Sequence, residues 1–107
     1  MSDLFDRHAE ICKTFANPRR LEIINSLRDN KEFTASQLLG LIDISKANLS
    51  QHMATLVQKG VVKSRREGTN VYYQLSDDRI TKACDIMREV LISNLEAQAK
   101  ALKQYKK

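Results

Sequence analysis

Lys46, Asn48, Gln51, His52 and Thr55 recur at the spacing of one helix face, and Lys63, Arg65 and Arg66 follow in a short basic stretch. Amides and cations in such a row suit one kind of chemistry. Asn and Gln can pair with a base edge through two hydrogen bonds, while Lys and Arg reach guanine or phosphate. No other set of residues adds up to a reaction. His8 and His52 are the only histidines, and nothing ties them together. There is no Gly-rich phosphate loop, no Ser/His/Asp set and no carboxylate pair in a pocket, so an enzyme is not expected. Cys12 and Cys84 lie far apart and match no CxxC spacing. No metal site or other cofactor is expected from them.

The elements that must position these residues are legible around them. Ser45 can cap a helix, its hydroxyl accepting from an unpaired first-turn amide. Leu49, Met53, Leu56 and Val57 then form an inward apolar stripe. Gly60 stands where a helix ends in the left-handed conformation. VVKSRR and VYYQL flank Glu67-Gly68-Thr69-Asn70, a short connection typical of a hairpin. An apolar-backed helix with an outward row of amides and cations, followed by a basic ribbon, suits a DNA groove.

Upstream, Thr34 and Gln37 form a capping box that opens a short helix over about 35–41, with Leu38, Leu39 and Leu41 buried. Asp43-Ile44-Ser45 is a turn, which makes 34–59 a helix-turn-helix. Residues 3–16 form a first amphipathic helix, with Leu4, Phe5, His8, Ile11, Cys12 and Phe15 on one side. Asn17 and Pro18 then open a helix over 18–29, burying Leu21, Ile23, Ile24 and Leu27. Arg19 and Arg20 lie in its first turn, against the helix dipole. Either an anion meets them there, or they pair with Glu22 or project into solvent. DNKEF reads as a polar connector.

Ser76 is expected to cap a last helix from Asp77 to about Gln104. Its stripe of Ile80, Cys84, Met87, Leu91, Leu95 and Leu102, interrupted by Gln98, is too long for one chain of this size to cover. A second copy is the simplest cover, with the first helix as companion, so a homodimer is expected. The bland alternative is a frayed basic tail beyond Gln98.

The expected fold is therefore mainly α with a small β-hairpin, in the order α-α-α-α-β-β-α. It is a single domain over 1–107, with dimerisation helices at 1–16 and 77–105 and a wing at 61–75. A formal charge of +5 and a pI near 9.4 favour an anionic partner without proving one. No apolar run approaches the roughly 20 residues of a membrane span. The acidic start MSDLFDRHAEI is no secretory signal, so reduced thiols and a cytoplasmic location are expected.

NPRRLEIINSL followed by ISKANLSQHMATLVQKGVVKSRREGTNVYYQLSD resembles the ArsR/SmtB family of winged-helix transcriptional repressors, from about Phe15 to Asp77. The resemblance implies a homodimer built by the first and last helices. It also implies double-stranded operator DNA bound by the 45–59 helix and the wing, and release when an effector binds. Lys46, Asn48, Ser50, Gln51 and His52 then fall in the first turns of the recognition helix, with His52 partly structural. Ser45 contacts phosphate as well as capping. Lys63 and Arg65 share one wing face and Arg66 takes the other, at least one of them meeting the DNA backbone or minor groove. Tyr72 and Tyr73 read as packing between wing and core rather than base stacking. Thr34, Ser36 and Gln37 can add phosphate contacts.

The chain departs from metal-sensing relatives. FTASQLLG lacks their cysteine pair, and Asp77 fits one ligand of another site whose remaining places hold Arg79, Val90 and Ser93. Cys12 and Cys84 stay open between buried small hydrophobes and a sensor for a thiol-reactive or thiophilic effector. Relatives that sense through cysteines carry them elsewhere, near Asn25 and Ile92 of this chain. With His8 the two thiols complete no soft-metal site. The rival readings are a winged-helix module for protein contacts, and a family member with no metal or thiol effector.

Overall fold

Asn17 ends one helix and starts the next. In the computed structural model, which describes residues 2–106, its extended backbone turns the chain. Its Oδ1 accepts from the amides of Arg19 and Arg20 at 3.0 and 3.1 Å. Helix α1 spans Ser2–Phe15 and α2 spans Pro18–Ser26, with Pro18 in the first turn, where its missing N–H costs nothing. Strand β1 (Phe33–Thr34) leads into α3 (Ala35–Leu39), and α4 covers Lys46–Gln58. The hairpin is β2 (Val62–Glu67) and β3 (Asn70–Leu75), and α5 runs over Arg79–Tyr105.

The capping signals act as their chemistry requires. Thr34 Oγ1 accepts from the Gln37 amide at 3.2 Å, and Gln37 Oε1 accepts from the Thr34 amide at 2.9 Å. Ser45 Oγ accepts from the Asn48 amide at 3.1 Å. Gly60 has a φ of +76° after α4. Gly68, at +64°, is the first of the two residues between the paired Glu67 and Asn70, the place where a type II′ turn needs glycine.

Besides Val57, which is 37% exposed at the edge of α4 rather than turned inward, four expectations need correction. The sheet has three strands in the order β1-β3-β2, because Phe33 and Thr34 pair with Tyr73 and Tyr72. The DNKEF connector, expected to be polar loop throughout, thus ends in a strand. The second helix stops at Ser26 rather than residue 29. Beyond it Asp29 and Asn30 both adopt left-handed backbone, at φ 62° and 60°, a conformation Asx residues tolerate better than most. Leu41 is 59% exposed, since α3 ends at Leu39 and the turn brings Ile42 inward instead. Ser76 caps nothing. Its hydroxyl donates to the carbonyls of Gly60 and Val61 at 2.6 and 3.0 Å, tying the end of β3 to the exit of α4. Asp77 Oδ1 accepts from the Arg79 amide instead, at 2.9 Å.

The core joins Ile23, Ile24 and Leu27 of the second helical segment with Leu38, Ile42, Leu49, Met53 and Leu56. Val61, Val62 and Leu75 close it from the sheet side. Ile80 and Cys84 pack against its edge. Beyond them the stripe of α5 leaves the body: Ile86, Met87, Val90, Leu91, Leu95 and Leu102 are all exposed, as are Leu4, Phe5 and Ile11 on α1. Among the described residues no helix is long and apolar enough to cross a membrane.

Candidate nucleic-acid interface

Helix α4 presents its outer face because Leu49, Met53 and Leu56 anchor its inner one. Lys46, Asn48, Ser50 and Gln51 are exposed, together with the capping residue Ser45. The Ser45 oxygen is engaged by the Asn48 amide, so the hydroxyl meets an anion only as a donor. Thr55 donates back to the Gln51 carbonyl at 3.2 Å. No Asp or Glu lies between Asp43 and Glu67, so α4 and the first wing strand up to Arg66 carry cations alone. That gap in the acids is itself legible in the sequence.

His52 is half-buried. Arg20 Nε donates to its Nδ1 at 3.3 Å, which makes Nδ1 an acceptor and places the proton of the neutral ring on Nε2. Burial, and then the Arg20 charge, hold its pKa below the ordinary value. Arg19 pairs with Glu22 at 2.8 Å, as the bland reading of that first turn allowed.

The wing divides by parity. Lys63, Arg65, Tyr72 and Gln74 share one face, and Ser64, Arg66, Val71 and Tyr73 the other. The second face borders α4 across an open groove lined by Ser50, Met53, Ala54, Val57, Gln58, Ser64 and Tyr73. Tyr73 also packs against the core. On the first face Arg65 is heavily engaged. Its Nε and Nη2 donate to the two oxygens of Glu32 at 2.6 and 3.3 Å, and its Nη1 donates to Glu67 at 2.7 Å. The guanidinium lies 4.6 Å from the Tyr72 ring centroid. The Arg65 bond holds the Glu32 carboxyl below its usual range. Among the described residues Lys46, Lys63 and Arg66 have no ion pair. Thr34 and Gln37 spend their oxygens on the capping box, and Ser36 is exposed.

The cysteines are both free, Cys12 exposed on α1 and Cys84 half-buried on α5. Burial pushes the Cys84 thiol up. Next to it Asp85 receives Arg28 at 2.8 and 3.3 Å, a tie between α5 and the end of α2. Asp77, which matches one ligand of metal-sensing relatives, is clamped by Arg79 at 2.6 Å, and its pKa falls to about 2. No group of three metal-ligating side chains occurs among the described residues. The Arg20–His52 and Arg65–Glu32 contacts escaped the sequence reading, because each joins residues more than thirty positions apart with no local pattern between them.

Residues 17–64 match the family model described as bacterial regulatory protein, arsR family. The chain is 34% identical over 80 residues to the transcriptional activator HlyU of Vibrio cholerae, a match covering 75% of this chain and 73% of that protein. It is 32% identical over 72 residues to the transcriptional repressor PagR of Bacillus anthracis, covering 67% and 72%. The solved structure of HlyU superposes with a TM-score of 0.74 at 30% identity, covering 84% of this chain and 97% of that one. The homodimeric winged helix-turn-helix DNA-binding domain of a Mycobacterium bovis protein superposes with a TM-score of 0.77 at 27% identity, covering 89% and 87%.

Proposed function

From the premise that this chain belongs to the arsR family and is a winged helix-turn-helix transcriptional regulator, we propose that it acts as a homodimeric, sequence-specific repressor. One observation carries the reading: no carboxylate occurs from Ile44 through α4 to Arg66 on the wing, while Lys46, Asn48, Ser50 and Gln51 stand exposed on the face opposite the core. In this reading Asn48 and Gln51 pair with base edges, and Ser45, Lys46 and Ser50 meet phosphate or base. Lys63 and Arg66 add backbone contacts from the wing. His52 contributes mainly by fixing α4 on Arg20. Residues 34–59 are the reading unit and 61–75 the wing.

The second half of the reading is the dimer. Residues 1–16 and 77–105 are proposed to build it. The exposed Leu, Ile and Met side chains of α5 keep about half or more of their surface in water. Covering each returns about half of the roughly 1.5–3 kcal/mol of a full burial, which an isolated chain forgoes along half the helix. The homodimeric relative from Mycobacterium bovis supports this. Release from DNA is proposed to follow an effector, with Cys12 and Cys84 the side chains a thiol-reactive or thiophilic molecule would use.

The test is anisotropy of duplex DNA from upstream of its own gene against scrambled duplex, over a range of salt. Discrimination with a steep salt dependence supports the reading. Shallow salt dependence and no discrimination would favour a protein-interaction module instead. Because HlyU is named an activator and PagR a repressor, a reporter assay decides the sign of control.

A further inference from the structure

The two faces of the wing differ in charge. On the face holding Lys63 and Arg65, Glu32 and Glu67 supply two carboxylates, so the cluster is neutral. On the face toward α4, Arg66 has no carboxylate partner among the described residues. Sequence alternation alone would make Arg65 and Arg66 equivalent candidates for phosphate. Tertiary placement separates them.

Arg65 is held from three directions. Pairing of β1 with β3 lays the connector before Phe33 along the outer wing face, and Gln74 Nε2 fastens it further by donating to the Asn30 carbonyl at 3.1 Å. Glu32 therefore arrives beside Arg65 with its side chain only 32% exposed. Three guanidinium donors are spent on two carboxylates, and the plane rests on Tyr72. An isolated exposed pair adds little, but a two-carboxylate fork on a stacked guanidinium has given up its rotamer freedom already. A phosphate reaching Arg65 must displace one carboxylate and face the other, so it gains no net neutralisation.

We propose that Arg65 is a positioning residue, withheld from DNA by Glu32 and Glu67. It latches the wing to the α2–β1 connector and leaves Arg66 as the phosphate-facing arginine of the wing. This rests on the reading of the chain as a DNA-binding regulator.

The test measures duplex affinity against salt for the full chain and four variants. Each phosphate contact contributes about 0.9 to the slope of log affinity on log salt. Arg66→Gln should flatten the slope by about 0.9 per protomer, and Arg65→Gln should leave it unchanged while weakening operator binding. Glu32→Gln with Glu67→Gln should steepen the slope, because the freed guanidinium can now reach phosphate. Adding Arg65→Gln to that pair should restore the wild-type slope. A purely structural role for the latch would not produce that steepening. The proposal is overturned if Arg65→Gln flattens the slope as Arg66→Gln does, or if the steepening persists without Arg65. Should Arg65→Gln fail to fold, the carboxylate pair decides alone, and an unchanged slope there overturns it. The regulator reading fails on a different result, a wild-type chain with no salt-dependent duplex binding.

Discussion

Arg20 and His52 meet at 3.3 Å, and through that bond the first turn of α2 holds the recognition helix. The arrangement accounts for a cation placed against the local helix dipole: its guanidinium finds an imidazole acceptor on the neighbouring helix. It also limits His52 as a base reader, since one ring nitrogen is spent on the fold.

The first prediction follows from its titration. The folded pKa of His52 lies below its ordinary value of 6.5, so the unfolded chain binds the proton more readily. Its contribution to stability is present in full above pH 6.5 and lost as pH falls through the lower folded value. Urea unfolding of the wild type should show a falling midpoint across that window. His52→Gln should remove this component of the pH dependence, and an unaltered profile would dismiss it.

A second prediction concerns sequence discrimination. Each bidentate amide–base pair is worth about 1–3 kcal/mol of preference for the right base. Asn48→Ala and Gln51→Ala should each narrow the affinity ratio between operator and scrambled duplex by about 5- to 150-fold. Lys46→Ala should instead lower affinity for both duplexes alike. An undiminished ratio in the double amide variant would remove both as readers.

A third concerns assembly. Leu91→Glu with Leu95→Glu places charge on the exposed stripe of α5 without touching the core. Light scattering at micromolar concentration should give a dimer for the wild type and a monomer for the variant. Operator affinity should fall with it, because two half-sites are then bound separately. A variant that stays dimeric contradicts the proposed interface.

The fourth tests the cysteines. Burial raises the Cys84 thiol above its ordinary value of 9.0, so the thiolate is scarce at neutral pH. In a Cys12→Ser background, the rate of iodoacetamide labelling should keep rising beyond pH 9. Levelling below neutral would mark Cys84 as an activated sensor thiol. DNA release by polysulfide or arsenite, abolished in Cys12→Ser or Cys84→Ser, would establish the effector response.

The sequence alone determined what is local. Asn17, Thr34 and Ser45 declare helix starts, because a cap is chemistry within three residues. The Leu49-Met53-Leu56 stripe declares which face of α4 turns outward, because helical periodicity is local too. Gly60 and Gly68 declare left-handed positions by the absence of a Cβ. Tertiary structure decided what depends on distant partners. The two-residue strand at Phe33–Thr34 exists only because β3 offers it a free edge. Ser76 reads locally as a cap of the last helix, and proximity to the Gly60 and Val61 carbonyls turned its hydroxyl to them instead. The roles of Arg65 and Arg66 were equally unreadable. Neighbours in sequence, they point to opposite wing faces, and only the folded connector brings Glu32 to one of them. Hydrogen bonds and ion pairs act over a few ångströms of space, whatever the separation along the chain.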